Sequence, residues 1–155
     1  MEYRSVELRP FDPRRVSDTL AAQACELYFA AIGQDYDVKT LHSPRDQLQR
    51  VSRIDPEVRF YADIEQQNTL RILGSLSIRG NDAFLNYLAV AEHLRHKKLG
   101  SQALKWLMEQ AREAGADTVA LKVAHDNKAA QQLYRGNGFA VLDEDSAHML
   151  MARGL

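Results

Sequence analysis

Between Leu85 and Gly100 the chain passes from an apolar run, Leu85-Asn86-Tyr87-Leu88-Ala89-Val90, through the basic stretch Arg95-His96-Lys97-Lys98 into a helical pattern that begins at Leu99. The first N–H groups of a helix have no partner within it, and the helix dipole places partial positive charge at the same end. Arg95, His96, Lys97 and Lys98 add basic side chains around that point, and Gly100 permits close approach to the backbone of Leu99, Gly100 and Ser101. A strand, a basic turn and a helix N-terminus in that order suit the phosphates of a nucleotide-like ligand. A solvated basic loop in front of a helix has the same composition, so charge alone leaves both readings open.

A second segment, Asn127-Lys128-Ala129-Ala130-Gln131-Gln132-Leu133-Tyr134-Arg135-Gly136-Asn137-Gly138-Phe139, follows the strand-like run Thr118–Ala124. Asn127 is a natural helix cap. Tyr134 carries a phenol, which holds its proton at neutral pH and can donate it; taken alone it reads first as a packed aromatic on a short helix. The two segments together resemble the GNAT superfamily of N-acetyltransferases. The cofactor turn of that family reads Gln/Arg-x-x-Gly-x-Gly/Ala, and here Arg95-His96-Lys97-Lys98-Leu99-Gly100 follows it except that Lys98 replaces the first glycine. The second family motif, approximately Asn-x-x-Ala-x-x-Leu-Tyr-x-x-x-Gly-Phe, is met at every fixed position by Asn127, Ala130, Leu133, Tyr134, Gly138 and Phe139.

The resemblance covers the C-terminal half, from about Leu85 onward, and implies roles residue by residue. The backbone of Arg95 through Gly100, with Ser101 at the helix start, would hold the pyrophosphate of acetyl-CoA. The pantetheine arm would lie along Leu88, Ala89 and Val90 like an added strand, with Asn127 at a position that commonly contacts it. Tyr134 matches the family's usual general acid. Some members carry a catalytic carboxylate on the strand before the turn; here Phe84 falls near that place, and no general base is assigned. The resemblance implies a primary-amine acceptor, either a small molecule or a protein amine, and a direct transfer within a ternary complex. A longer acyl group, or an acyl-CoA-binding module without transfer, are the alternatives it leaves open. Dimers are frequent in the family, so a homodimer is a further expectation.

The elements that must position these residues follow from periodicity. Val6 and Leu8 alternate with charged residues and predict a short first strand; Asp12-Pro13 predicts a helix start, with apolar residues at helical spacing from Val16 to Ala31. Ser43-Pro44 predicts a second helix to about Ile54. Val58–Ile64, Leu70–Arg79 and Ala83–Val90 read as three adjacent antiparallel strands, the last two divided by Gly80-Asn81-Asp82. A helix from Leu99 to Gly115, the strand Thr118–Ala124, a short helix capped at Asp126-Asn127, and a final pair, Phe139–Leu142 and Ala147–Met151, complete the order. The expected fold is α/β of GNAT type: a mixed, mostly antiparallel sheet of six to seven strands flanked by about four helices, forming one domain over residues 1–155.

Composition narrows the function classes. Twenty basic against 21 acidic side chains in 155 residues give a net charge of −1, without the basic excess that nucleic-acid or anionic-membrane binding calls for. The one cysteine, Cys25, cannot close an internal disulfide, and the five histidines show no ligand spacing, so neither a disulfide framework nor a metal is expected. No uncharged stretch approaches the ~20 residues of a membrane span, which leads to a cytoplasmic expectation. Cys25 sits on the apolar stripe of its helix and reads as a small core residue. By the resemblance, the acidic stretches Gln34–His42 and Asp143-Glu144-Asp145 correspond to the family's acceptor-shaping regions; by composition they read first as solvated loops.

Overall fold

The structure, a computed structural model, describes residues 5–12, 15–31, 57–66, 69–95 and 98–155. The helix expected from Ser43 to Ile54, the Gly33 stop, the acidic stretch 34–42, and His96 and Lys97 lie outside the described residues. Seven strands form one sheet in the order β1-β2-β3-β4-β5-β7-β6: β1 Arg9–Pro10, β2 Val58–Glu65, β3 Thr69–Arg79, β4 Asp82–Val90, β5 Thr118–Ala124, β6 Ala140–Glu144 and β7 His148–Gly154. Three α-helices accompany them among the described residues, α1 Asp18–Ala31, α2 Leu99–Glu113 and α3 Lys128–Gly136, with a 3-10 turn at Glu92–Leu94. All pairings are antiparallel except β4 with β5. This is the mixed α/β architecture that the sequence predicts.

Two starts differ from expectation. Helix α1 begins at Asp18, not at Asp12-Pro13, because the Ser17 hydroxyl accepts the Leu20 N–H at 3.2 Å and so caps the helix one residue before it. The first ladder lies at Arg9 and Pro10, opposite Ala62 and Tyr61, rather than at Val6 to Leu8. Val6 and Leu8 still face the core, the Val6 N–H donates to Gln102 Oε1 at 3.2 Å and the Glu7 N–H to Asp63 Oδ2 at 2.8 Å, so this segment is held by packing and two side chains rather than by a strand.

The sheet carries a core on each face. On one, Ile72, Leu76, Leu85, Leu121 and Met151 pack under Leu104, Leu107 and Ala111, which recur at helical spacing along α2. Fully burying one such leucine contributes about 1.5–3 kcal/mol. On the other face, Leu20, Ala24 and Cys25 of α1 pack against Phe60, Ala62, Leu70, Leu73 and Tyr87. Cys25 is fully buried, and desolvation raises its thiol from 9.0 to about 12, which makes it inert core material.

Burial of this kind sets an alkaline limit on stability. Cys25 is raised from 9.0 and Tyr134 from 10.0, each to about 12, mainly by desolvation. Between those limits the unfolded chain has released protons that the folded chain still binds, so stability is intact below about pH 9 and falls as pH rises. Each group contributes at most about 1.4 kcal/mol per pH unit to that slope. Urea midpoints at pH 8, 10 and 11 should decline, and Cys25→Ala should flatten the first part of the decline. A midpoint constant to pH 11 would contradict the assignment.

Candidate functional site

The parallel ladder between β4 and β5 is short. It runs from Asp82 opposite Thr118 to Leu85 opposite Leu121 and ends there, while β4 continues to Val90 and β5 continues against β7 as far as Ala124 opposite His148. A gap therefore opens between the two strands, bordered on one side by the edge of β4 at Leu88, Ala89 and Val90. The cause is local: the β3–β4 register steps from Ser75 opposite Tyr87 to Leu76 opposite Leu85, which leaves Asn86 as an extra residue in β4. Such a bulge bends its strand and raises the twist. It also resets the alternation of side chains. Ala83 and Leu85 face the α2 core before it, whereas Tyr87 faces the α1 core after it, ring edge against Tyr28 at a centroid distance of 5.0 Å.

At the end of β4 the chain makes the 3-10 turn and enters α2. Arg95 folds back, its Nε donating to the Val90 carbonyl at 3.2 Å. Lys98 is the N-cap of α2 and adopts φ 63°, ψ 10°, the left-handed conformation, with no side chain capping the helix. It is the only non-glycine residue with positive φ among the described residues. The position where the family motif has glycine thus keeps the backbone of a glycine while carrying a lysine. With no side chain capping the helix, the N–H groups of Leu99, Gly100 and Ser101 have no partner within its first turn, the arrangement that suits phosphate oxygens. A Cβ built on Gly100 would meet Leu133 at 3.6 Å and Val90 at 3.9 Å, ordinary contacts, so it is approach from outside rather than internal space that the glycine serves. These residues fit a pyrophosphate.

The Lys98 conformation predicts an unusual mutational result. A left-handed residue with a Cβ costs roughly 1–2 kcal/mol, and glycine returns about 0.5–1 kcal/mol of that through its looser unfolded chain. Lys98→Gly should therefore raise the melting temperature by about 2 °C. A thermal melt showing a loss instead would mean that the lysine side chain holds the turn.

The second motif resolves into three parts. Asn127 caps α3, its Oδ1 accepting the Ala130 N–H at 3.2 Å, which is the helix-cap reading of this residue realised. Gly138 takes φ +90° beyond the end of α3, where a side chain is strained and a Cβ would press on Arg153 at 3.3 Å, so glycine is favoured. Phe139 then turns back, its N–H donating to the Tyr134 carbonyl at 3.0 Å and its ring meeting the Tyr134 ring edge-on at 5.8 Å. Tyr134 is 7% exposed, and burial raises its phenol to about 12, so the proton stays on through the working pH range. The two motifs are joined directly: the Ser101 hydroxyl lies 3.5 Å from Asn137 Oδ1, while Asn137 Nδ2 donates to the Leu133 carbonyl at 2.8 Å. Ser101 therefore ties the start of α2 to the end of α3 through its side chain.

Asp145, His125 and Trp106 are engaged by local partners. The Asp145 carboxylate accepts the N–H groups of Ala147 and His148 at 2.8 and 2.7 Å, which lowers its pKa and makes it a turn former. His125 Nε2 lies 2.7 Å from the Asp145 carbonyl and braces the same turn. Trp106 packs edge-on against Tyr61 at 5.2 Å. Among the described residues, no three His, Cys, Asp or Glu side chains gather as a metal-binding group, and no helix is long and apolar enough to cross a membrane.

One part of the site was missed in the sequence. A cleft of about 310 Å³ lies on the α1 face of the sheet, beside the bulge, lined by Ser77, Arg79, Asp82, Phe84, Asn86 and Thr118 with two alanines. The Asn86 amide nitrogen donates to Ser75 Oγ at 3.1 Å and to Ser77 Oγ at 3.0 Å. Two serines at alternate positions, Ser75 and Ser77, in the apolar run Ile72–Ile78 of β3 were the available signal, since buried hydroxyls need partners.

Known proteins place this arrangement. The family model described as the acetyltransferase (GNAT) family matches residues 21–139. An uncharacterized N-acetyltransferase, YobR, of Bacillus subtilis (strain 168) is 32% identical over 89 residues, 57% of this chain and 36% of that protein, so the match spans only about a third of the relative's length. The fold is similar to that of an acetyltransferase from Thermus thermophilus, with TM-score 0.77, 23% identity and full coverage of both chains. It is also similar to the PaiA N-acetyltransferase of Thermoplasma acidophilum, solved in complex with coenzyme A, with TM-score 0.74, 23% identity, and coverage of 98% of this chain and 100% of that one.

Proposed function

The chain belongs to the acetyltransferase (GNAT) family, and from that premise we propose that it moves an acetyl group from acetyl-CoA to a primary amine. The observation that carries the reading is the continuity of the open β4 edge with the uncapped, left-handed entry into α2. The edge of Leu88 to Val90 would take an extended amide-bearing arm as an added strand. The N–H groups from Leu99 to Ser101 would take the pyrophosphate, with Arg95, His96, Lys97 and Lys98 supplying charge around it. That the PaiA relative was solved with coenzyme A supports the same choice of ligand.

Acetyl-CoA supplies a thioester carbonyl and a thiol leaving group. Attack by a neutral amine forms the C–N bond and breaks the C–S bond; nitrogen loses one proton and sulfur gains one, so the proton count closes. Tyr134 is the residue we assign to the sulfur. A phenol at about 12 is a weaker acid than an ordinary thiol near 8.5. The desolvation that raises the phenol also raises the proton affinity of a thiolate formed beside it, which brings the two closer. Asn127, engaged through Oδ1 as a cap, keeps its Nδ2 for the arm.

The test is thiol release from acetyl-CoA against a panel of amines, with CoA-induced thermal stabilisation measured alongside. Stabilisation together with amine-dependent thiol release is expected. Stabilisation without release from any amine would favour a regulatory acyl-CoA-binding module.

A further inference from the structure

We propose that Asn86 receives the acceptor nitrogen, an assignment that rests on the transfer reading above. Asn86 stands where β4 parts from β5, one residue past the last parallel pair at Leu85, so it borders the gap in which the reacting carbonyl would lie. Its position on the bulge turns the side chain to the α1 face, into the cleft. There the amide is fixed, because Nδ2 donates to both Ser75 and Ser77, and both serines are buried. A carboxamide whose nitrogen is held on the strand side presents its oxygen on the other, and Asn86 is exposed on that side. Oδ1 is thus an oriented acceptor for an amine N–H, leaving the nitrogen lone pair free to point toward the gap.

The rest of the cleft describes the body of the amine. Phe84 and Ala120 give an apolar floor, and Arg79 and Asp82, opposed in the β3–β4 ladder, mark the far end, with the Asp82 carboxylate accepting from the Thr118 hydroxyl at 2.9 Å. Asp82 is four strand positions from Asn86, about 13 Å. The acceptor class is therefore a primary amine on a compact, largely apolar body. An amide oxygen is uncharged, so it holds an N–H of the neutral amine without the extra stabilisation of ammonium that a carboxylate would give.

The experiment uses benzylamine, phenethylamine and glycinamide as acceptors with the full chain and acetyl-CoA. Asn86→Ala should raise the acceptor KM about tenfold, the worth of one oriented hydrogen bond, while the CoA-induced thermal shift and the KM for acetyl-CoA stay at wild-type values. The near-isosteric Asn86→Asp keeps partners for both serines and guards against loss of folding; it should lower KM for the cationic benzylamine and move the pH profile of kcat/KM. Ser75→Ala with Ser77→Ala should raise acceptor KM in the same direction, by freeing the amide to rotate. An acceptor KM unchanged in a folded Asn86→Ala, or an unmoved pH profile in Asn86→Asp, would overturn the assignment. Wild-type protein that binds CoA and acetylates other primary amines but none of these three would overturn the acceptor class, whereas CoA binding with no acetylation of any amine would overturn the transfer reading and this inference with it.

Discussion

Tyr134→Phe should lower turnover by about 10²–10⁴-fold, the usual worth of a positioned general acid, with almost no change in the fold. The substitution keeps the ring that meets Phe139 edge-on and removes only the hydroxyl. Cofactor affinity should hold, because the β4 edge and the α2 N-terminus lie on other elements. Two signatures separate this from general damage. The loss should shrink for an acyl donor with a more acidic leaving thiol, whose thiolate needs less help. The alkaline limb of the wild-type rate should also lie well above pH 10, since burial raises this phenol to about 12. Near wild-type turnover in a folded Tyr134→Phe would give the proton transfer to water or to another side chain.

Gly100→Asp should reduce CoA affinity at least 100-fold while the protein remains as stable as before or slightly more so. The Cβ is accommodated at ordinary contact distance from Leu133 and Val90. A carboxylate in the first turn of α2 also interacts favourably with the helix dipole, typically by 0.3–1 kcal/mol. The same charge faces the pyrophosphate, where like charges at close range cost several kcal/mol. Calorimetric titration with CoA, set beside a thermal melt, reads both effects. Unchanged affinity in the folded variant would remove the phosphate cradle from the start of α2.

Much of this site was legible in the sequence because its chemistry depends on backbone positions that leave a residue signature. The run from Leu85 through Gly100 shows a strand entering a helix through a basic turn, and Asn127 to Phe139 shows a capped helix closed by a glycine; both segments have those forms. Lys98 shows the limit of such reading. Its side chain argues against a left-handed residue, yet Lys98 adopts that conformation, which outlasts the glycine of the motif. The bulge at Asn86 was not legible, because the run Ala83 to Val90 alternates well enough for an unbroken strand, and only the pairing with β3 shows one residue too many. The cleft was missed for the same reason: its residues come from three strands whose neighbours are set by sheet order. The start of α1 was placed too early because Asp12-Pro13 and Ser17 both offer cap-type residues, and the cap bond that forms is the one from Leu20 to Ser17.

The central claim is that an acetyl group passes directly from acetyl-CoA to an amine held at the mouth of the β4–β5 gap. Its most direct test is a reaction with acetyl-CoA labelled in the acetyl group, followed by mass spectrometry of the amine, the free thiol and the intact protein. The account predicts label in an N-acetylated amine, one CoA thiol released for each amide formed, and no labelled protein at any time. Label held covalently on the protein, or CoA bound tightly with no labelled amine formed, would contradict it.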